Sequence, residues 1–193
     1  MDVIERALNG DDVNIVDQYG QTALVYAARK DIIETVELLL DKGADPNMVE
    51  IYGRTALMIA IVSGSIGIVR LLLDKGADTN IVNIYGQTAL IFAALYGHSG
   101  IVELLLDKGA DPNIVDRHDK TALLFASEVG NIDIVKLIKG KINLQKALQN
   151  LALVKSMNSL ECEAPLQFLD YDIMKEIMIC KRAYDHSVHM RMK

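Results

Sequence analysis

The chain has 193 residues, of which 51% are hydrophobic, and its formal net charge of -6 comes from 20 basic and 26 acidic residues. This length allows one sizeable buried core, whereas the dispersed, acidic charge argues against a nucleic-acid partner. Asp2, Glu5 and Arg6 precede any long apolar run and no later run is long enough to span a bilayer, so we expect neither a signal peptide nor a membrane partner. The only cysteines, Cys162 and Cys180, are too few for a disulfide framework, which favours a reducing, cytoplasmic location.

A 33-residue internal repeat is the strongest pattern in the chain. Threonine, glycine, asparagine and valine each recur at this spacing, in one common register. The columns are Thr22, Thr55, Thr88 and Thr121; Gly20, Gly53 and Gly86; Gly43, Gly76 and Gly109; Asn47, Asn80 and Asn113; and Val36, Val69, Val102 and Val135. Chance does not hold so many columns in phase, so we expect a stack of similar units, preceded by a half-unit at residues 1–16.

Each unit predicts two helices joined by a turn. The first helix begins after the threonine of Thr-Ala-Leu, because that side-chain oxygen can accept hydrogen bonds from the first free amides of a helix. In the second helix, Val36, Leu39 and Leu40 follow the i, i+3, i+4 pattern of one apolar stripe. Gly43 comes where a left-handed residue ends such a helix. A single stripe cannot be buried alone, so the units must stack side by side.

The repeated segments resemble the ankyrin repeat. They read YGQTALVYAA, YGRTALMIAI, YGQTALIFAA and HDKTALLFAS, and LLLDKGADPN, LLLDKGADTN and LLLDKGADPN close the first three units. The resemblance implies an all-α ankyrin-repeat solenoid, in which helix-turn-helix units carry β-hairpin fingers. It gives four full repeats after the half-unit. It also implies that a partner protein binds the finger tips and the concave face of the first helices.

Two departures from the family pattern have structural consequences. The family's Thr-Pro-Leu-His carries alanine in place of proline in all four units, and its histidine is replaced by Val25, Met58, Ile91 or Leu124. We expect apolar packing between units to take over from the histidine hydrogen bonds. In the first unit Asp31 replaces the glycine between the helices, where it tolerates unusual backbone angles and can form a capping box with Glu34.

The regular array is expected to end at Gly140. In the fourth unit the finger glycine becomes Asp119, and the second helix is predicted to stop at Gly140, without the Gly-Ala-Asp that closes the other units. All 13 glycines lie at or before this position. The sequence therefore predicts an ankyrin-repeat domain at 1–141 and a C-terminal helical extension at 142–193.

Two helices are predicted in the extension. The first, at residues 143–157, carries Leu144 and Leu148 on an apolar face and is expected to cap the open end of the array. The second follows Pro165.

The second of these helices resembles the opening of a truncated F-box, the segment that docks on the Skp adaptor of ubiquitin ligases. Asp170 stands where the F-box has proline, and the segment is shorter than a full F-box. The resemblance implies that Leu169, Ile173 and Ile177 bind a Skp-type adaptor. The alternative is an amphipathic helix that packs on the end of the array.

The finger tips carry a row of tyrosines, Tyr19, Tyr52 and Tyr85, with His118 in the same column. A tyrosine offers a large amphipathic contact at low entropic cost, which suits recognition. The alternative is that these tyrosines pack between neighbouring fingers. The predicted partner-binding residues are Gln18, Tyr19, Gln21, Tyr52, Arg54, Tyr85, Gln87, Tyr96, His118 and Lys120.

Two further columns are assigned to the fold. Tyr26, Ile59, Phe92 and Phe125 lie inside the first helices and are predicted to be core. The asparagine column is expected to bond the hairpin backbone.

No motif of an enzyme is present. The chain has no glycine-rich phosphate loop, nucleophile elbow or metalloprotease helix, so we expect no catalytic residue, cofactor or metal. His186 and His189 with Cys162 and Cys180 could ligate zinc by residue type, but the cysteines lack a Cys-x-x-Cys spacing. The sequence therefore predicts a protein-binding module. The alternative is a substrate-recruiting adaptor of a cullin-type ubiquitin ligase.

Overall fold

A computed structural model describes residues 3–10 and 12–158 of the chain. For Leu151 and for residues 153–158 it describes the backbone alone. In this part of the chain the regular structure consists of helices and two isolated β-bridges, Val16 with Thr22 and Val115 with Thr121. The helices are α1 (Val3–Leu8), α2 (Ala23–Arg29), α3 (Ile33–Asp41), α4 (Ala56–Val62), α5 (Ile66–Asp74), α6 (Ala89–Leu95), α7 (Ser99–Asp107), α8 (Ala122–Glu128) and α9 (Ile132–Asn158). The predicted all-α fold is confirmed.

The threonine column caps the first helix of each unit, as predicted. The Oγ1 atom of Thr22 accepts a hydrogen bond from the Val25 N–H at 3.2 Å, and Thr55 caps α4 through the Met58 N–H at 3.3 Å. Thr88 and Thr121 do the same for α6 and α8. Each of these bonds satisfies one of the free amides at a helix start, so the repeated Thr-Ala-Leu fixes where the first helices begin.

The core lies between the two helices of each unit and between like helices of successive units. The first helices α2, α4, α6 and α8 contact one another in order, and so do the second helices α3, α5 and α7. The predicted stripe is buried, with Val36 and Leu39 fully inaccessible in α3. The apolar replacements of the family histidine are also buried in the first three units, whereas Leu124 is 42% exposed. No further first helix follows α8 in the described residues, so Leu124 lacks the neighbour that covers its equivalents.

Side-chain hydrogen bonds join each unit to the next along the asparagine column. Asn14 Oδ1 accepts from the backbone N–H of Asp45 at 2.8 Å, one unit further on. The same bond recurs from Asp78 to Asn47 and from Asp111 to Asn80. These asparagines therefore bond the backbone, as expected. Because each bond reaches the following unit, it also helps to set the register between units.

The turn between α2 and α3 agrees only in part with the prediction. Asp31 takes a left-handed φ of 58°, as its position in the glycine column requires. The capping box with Glu34 is wrong, because Ile32 is the N-cap residue of α3 and no side chain bonds there. Asp31 lies one residue too early for its carboxylate to serve as the cap.

The predicted helix end at Gly140 is wrong, because α9 runs without a break from Ile132 to Asn158. Gly140 has no positive φ. One glycine in a helix interior costs only about 1 kcal/mol, which does not stop a helix whose flanking residues favour it.

The chain divides into two compact units, Met1–Lys139 and Gly140–Lys193, and the second is described only as far as Asn158. In that second unit Ala147 is buried, whereas Leu144 and Leu148, two residues of the predicted apolar face, are exposed.

Candidate functional site: the finger face

Four fingers connect the units, at residues 17–21, 50–54, 83–87 and 116–120. Each is a tight turn held by one side-chain oxygen at its first residue. In the third finger Asn83 Oδ1 accepts from the backbone N–H groups of Tyr85 and Gln87, both at 2.9 Å. The four acceptor residues are Asp17, Glu50, Asn83 and Asp116. Sequence reasoning missed them, although an oxygen-bearing side chain recurs three residues before each finger glycine or Asp119.

The tyrosine row, Tyr19, Tyr52 and Tyr85, has fixed backbones and exposed rings. Each tyrosine carbonyl accepts a hydrogen bond from the next finger, and for Tyr52 the donor is the Ile84 N–H at 3.0 Å. These three residues are 48%, 47% and 54% exposed. Their hydroxyl groups form no hydrogen bond within the described residues. Main-chain hydrogen bonds therefore join neighbouring fingers, and the tyrosine rings remain accessible to solvent.

The fingers and the residues just before them expose further apolar side chains that sequence reasoning did not select. Ile51 and Ile84, beside the tyrosines, are exposed. So is the whole valine column at Val16, Val49, Val82 and Val115. The 33-residue spacing marked these columns as regular, but it could not tell an exposed column from a buried one.

The two glutamines predicted as contacts in the first finger differ. Gln18 is exposed, but Gln21 is only 8% exposed in the free protein. The finger turn explains this, because the Gln21 backbone N–H bonds Asp17 Oδ1 at 2.9 Å and the side-chain Nε2 approaches Asp17 Oδ2 at 3.5 Å. The amide is thus drawn inward, and its Oε1 has no hydrogen-bond partner among the described residues.

Arg54 and Gln87, which occupy the position of Gln21 in the next two fingers, are half-buried. Arg54 Nε pairs with Glu50 Oε1 at 2.9 Å, and the guanidinium carbon lies 5.2 Å from the centre of the Tyr52 ring. Gln87 Oε1 accepts from Asn83 Nδ2 at 3.2 Å. Both side chains support the turn on which a tyrosine sits while keeping part of their surface in solvent.

In the fourth finger, one of the two predicted contact residues is exposed and the other is bonded within its own unit. His118 is exposed. Lys120 Nζ lies 2.8 Å from Glu128 Oε1 and 5.5 Å from the centre of the Phe125 ring. Its charge is therefore engaged within the unit.

Tyr96, a predicted partner-binding residue in the first-helix part of the third unit, is exposed and stacks with two neighbours. Its ring is nearly parallel to Phe92 at 6.5 Å and to His98 at 6.2 Å. Phe92 and Ile59 are buried, as predicted for the first-helix core. Tyr26 and Phe125 in the same column are only half-buried.

The Asp17 carboxylate is the most heavily bonded group of the fingers. Partial burial raises its pKa, but the hydrogen bonds from the Gln21 N–H, the Tyr26 hydroxyl and the Tyr19 N–H, with the charge of Arg29, outweigh burial and bring the pKa below its usual value. The Tyr26 bond measures 2.8 Å. The charged form of Asp17 is therefore part of the folded finger.

A shallow groove of about 250 Å³, open to solvent, lies between the first and second fingers. Tyr19, Ile51 and Tyr52 supply its apolar and aromatic surface, and Arg29 and Arg54 supply guanidinium groups. Glu50 and Gln21 contribute its more deeply buried lining. We call this the first inter-finger groove.

Two family models match the chain. Residues 1–83 match a model described as ankyrin repeats (3 copies), and residues 72–126 match one described as ankyrin repeats (many copies). Residues 1–126 are ankyrin repeats. Ankyrin repeats generally mediate protein–protein interaction. None of the curated proteins compared matches the chain.

Other predictions concern residues beyond the described part of the chain. Leu169, Ile173 and Ile177 lie there, as do Cys162, Cys180, His186 and His189. Within residues 3–10 and 12–158, no group of His, Cys, Asp and Glu side chains could hold a metal ion. The helices of the same part include none with the length and apolar character that crossing a bilayer requires.

Proposed function

We propose that this chain is a protein-binding module that recognises a partner protein through its ankyrin finger tips and the concave face of its first helices. The tyrosine row is the observation that carries the proposal. Its rings are about half exposed, yet the backbone below each ring is fixed by a hydrogen bond to the next finger. Side chains held on a rigid base lose less freedom on binding, which favours affinity.

The alternative, that the tyrosines serve packing between fingers, is less well supported. Tyrosines that serve as spacers should bury their rings between neighbouring fingers and give their hydroxyl groups partners. The contact between the Tyr52 ring and Arg54 is the one cation–ring contact that involves the row among the described residues. Main-chain bonds already join the fingers, so the rings are available for a partner.

The test is a triple variant in which Tyr19, Tyr52 and Tyr85 are replaced by alanine. Proteins captured by the intact chain are identified by mass spectrometry, and those lost with the variant are purified and titrated by calorimetry. We expect partner affinity to fall by at least about 2 kcal/mol, because exposed tyrosines are common binding hot spots. The melting temperature should barely change.

A matched control removes three exposed apolar side chains of the second helices, Ile33, Leu38 and Ile66, by replacement with alanine. This control should keep partner binding. If the tyrosine variant instead melts far below the intact chain and still binds normally when folded, the tyrosines serve packing and the proposal fails.

The adaptor alternative stays a prediction from sequence. It depends on Leu169, Ile173 and Ile177, which lie outside the described residues. It adds a second partner, a Skp-type adaptor, to the same binding module and does not compete with the finger face for residues.

A further inference from the structure

The first inter-finger groove differs from the grooves that follow it. At the position of Arg29 the later units carry Val62, Leu95 and Glu128. The first groove thus has guanidinium groups from both a first helix and a finger, Arg29 and Arg54, whereas the next has neutral Val62 and Gln87 at these places.

The two acidic side chains beside the arginines are held within the finger turns: Glu50 pairs with Arg54 through Nε, and the charge of Arg29 helps to lower the pKa of Asp17 without an ion pair between them. Asp17 accepts four hydrogen bonds from its own finger and from Tyr26. Glu50 turns its Oε1 to the Tyr52 and Arg54 N–H groups, and its side chain is 2% exposed against 31% for Arg54. The acceptors are therefore directed into the finger turns, and the cationic donors face the solvent.

Both guanidinium groups keep donors available. Arg54 uses Nε for Glu50, which leaves its terminal nitrogens outside the bonds found in the described residues. Arg29 forms no ion pair within the same part of the chain and lies with its guanidinium carbon 5.9 Å from the centre of the Tyr26 ring. The ring attracts the guanidinium group, and the planar fork of its N–H donors matches a planar acceptor such as a carboxylate.

We propose that the first inter-finger groove binds an aspartate or glutamate side chain from an extended segment of the partner protein. Arg29 and Arg54 donate to the carboxylate, while Tyr19 and Tyr52, from successive fingers, hold the chain of the segment on either side. The groove is open to solvent, so a continuous segment can pass through it and need not end there. This inference rests on the proposed function and names the chemistry that the partner supplies.

The probe is a random peptide library displayed with its C-terminus fused to the carrier, so that side chains provide the only carboxylates. It is selected on the full chain. We expect the selected peptides to share an acidic residue at one position. In anisotropy titrations with the corresponding synthetic peptide, amidated at its C-terminus, exchanging that residue for its amide should weaken binding at least about tenfold, since charge-assisted hydrogen bonds are lost.

The same peptide tests the groove itself. Arg29→Gln should also weaken binding by about tenfold or more, and Arg29→Lys by less, because lysine keeps the charge but not the planar fork. Arg70→Gln is the matched control, since Arg70 is an exposed arginine of α5 that does not line the groove, and it should leave binding unchanged. Circular dichroism melts establish that each variant is folded.

The contrary outcomes separate the two proposals. Peptides that need the tyrosine row but neither an acidic residue nor Arg29 would overturn this inference and leave the proposed function intact. An equal loss with Arg29→Gln and Arg70→Gln would also overturn it, because general charge attraction then explains the binding. If no selected peptide loses binding in the tyrosine variant, the proposed finger-tip recognition fails as well.

Discussion

Replacing Gly53 by alanine tests whether contact between neighbouring fingers helps to position the tyrosine row. Gly53 follows Tyr52 and has a left-handed φ of 72°. A Cβ at this position would lie 3.0 Å from Ile84 N and 3.1 Å from Asn83 Cα, both in the backbone of the third finger. Gly130 is a matched control, because it has the same φ of 72° but a Cβ there would meet no atom within 4 Å.

The expected cost has two parts. A left-handed backbone costs alanine roughly 1–2 kcal/mol relative to glycine, and both variants incur this cost. Only Gly53→Ala must also move the third finger, which strains the bond of 3.0 Å from the Ile84 N–H to the Tyr52 carbonyl. Overpacking of a fitted site adds about 1–3 kcal/mol. We therefore expect losses of about 1–2 kcal/mol for Gly130→Ala and about 2–5 kcal/mol for Gly53→Ala.

Urea denaturation of the two variants and the intact chain measures these losses. The Gly53 variant should also bind a partner more weakly than the Gly130 variant at a temperature where both are folded, because moving the third finger displaces Tyr85 relative to Tyr52. If the free energies of unfolding of the two variants agree within about 0.5 kcal/mol, the third finger accommodates the added methyl group without cost. The contact between the fingers then does not position the tyrosine row.

Two further predictions concern stability. Leu72 is fully buried in α5, so Leu72→Ala should lower the free energy of unfolding by about 3 kcal/mol in chemical denaturation. Leu38→Ala, at an exposed position of α3, is the control and should cost less than about 1 kcal/mol. A loss below about 1 kcal/mol for Leu72→Ala would refute the assigned core. The folded pKa of Asp17 lies below its ordinary value of 3.8, so the charged form adds stability above that pH, and this is lost as the pH falls through the folded pKa. Asp17→Asn keeps the acceptor, as Asn83 does in the third finger, and should remove this part of the acid dependence in pH-controlled melts; an unchanged acid limb would exclude Asp17 as its source.

Much of the fold could be predicted because each element of the repeat depends on local chemistry. Thr22 and its equivalents cap helices wherever they stand before Ala-Leu, and Leu39 is buried because its stripe recurs at helical spacing. These rules need only residues a few positions apart. Repetition at 33 residues then indicates that the same contact is made again by each neighbour.

The candidate site was harder to predict, because exposure in a finger is decided by which hydrogen bonds the turn makes. Gln21 and Gln18 are equally polar in sequence, yet Gln21 is drawn inward to Asp17. The acidic residue at position 50 looks like a surface charge, but it is buried as the acceptor of its finger turn. Pattern alone could not assign these directions, since both outcomes fit a polar, irregular segment.

Asp119 explains why the glycine column of the fingers changes where it does. Gly20, Gly53 and Gly86 each have backbone of the next finger within 3.0–3.5 Å of where a Cβ would lie. Asp119 occupies the same column with a left-handed φ of 57°, but in the described residues no fifth finger follows it. Aspartate tolerates this backbone better than most residues, so the φ alone did not demand glycine here. The neighbouring finger adds the stricter requirement, and the column keeps glycine at each finger on which a further finger stacks.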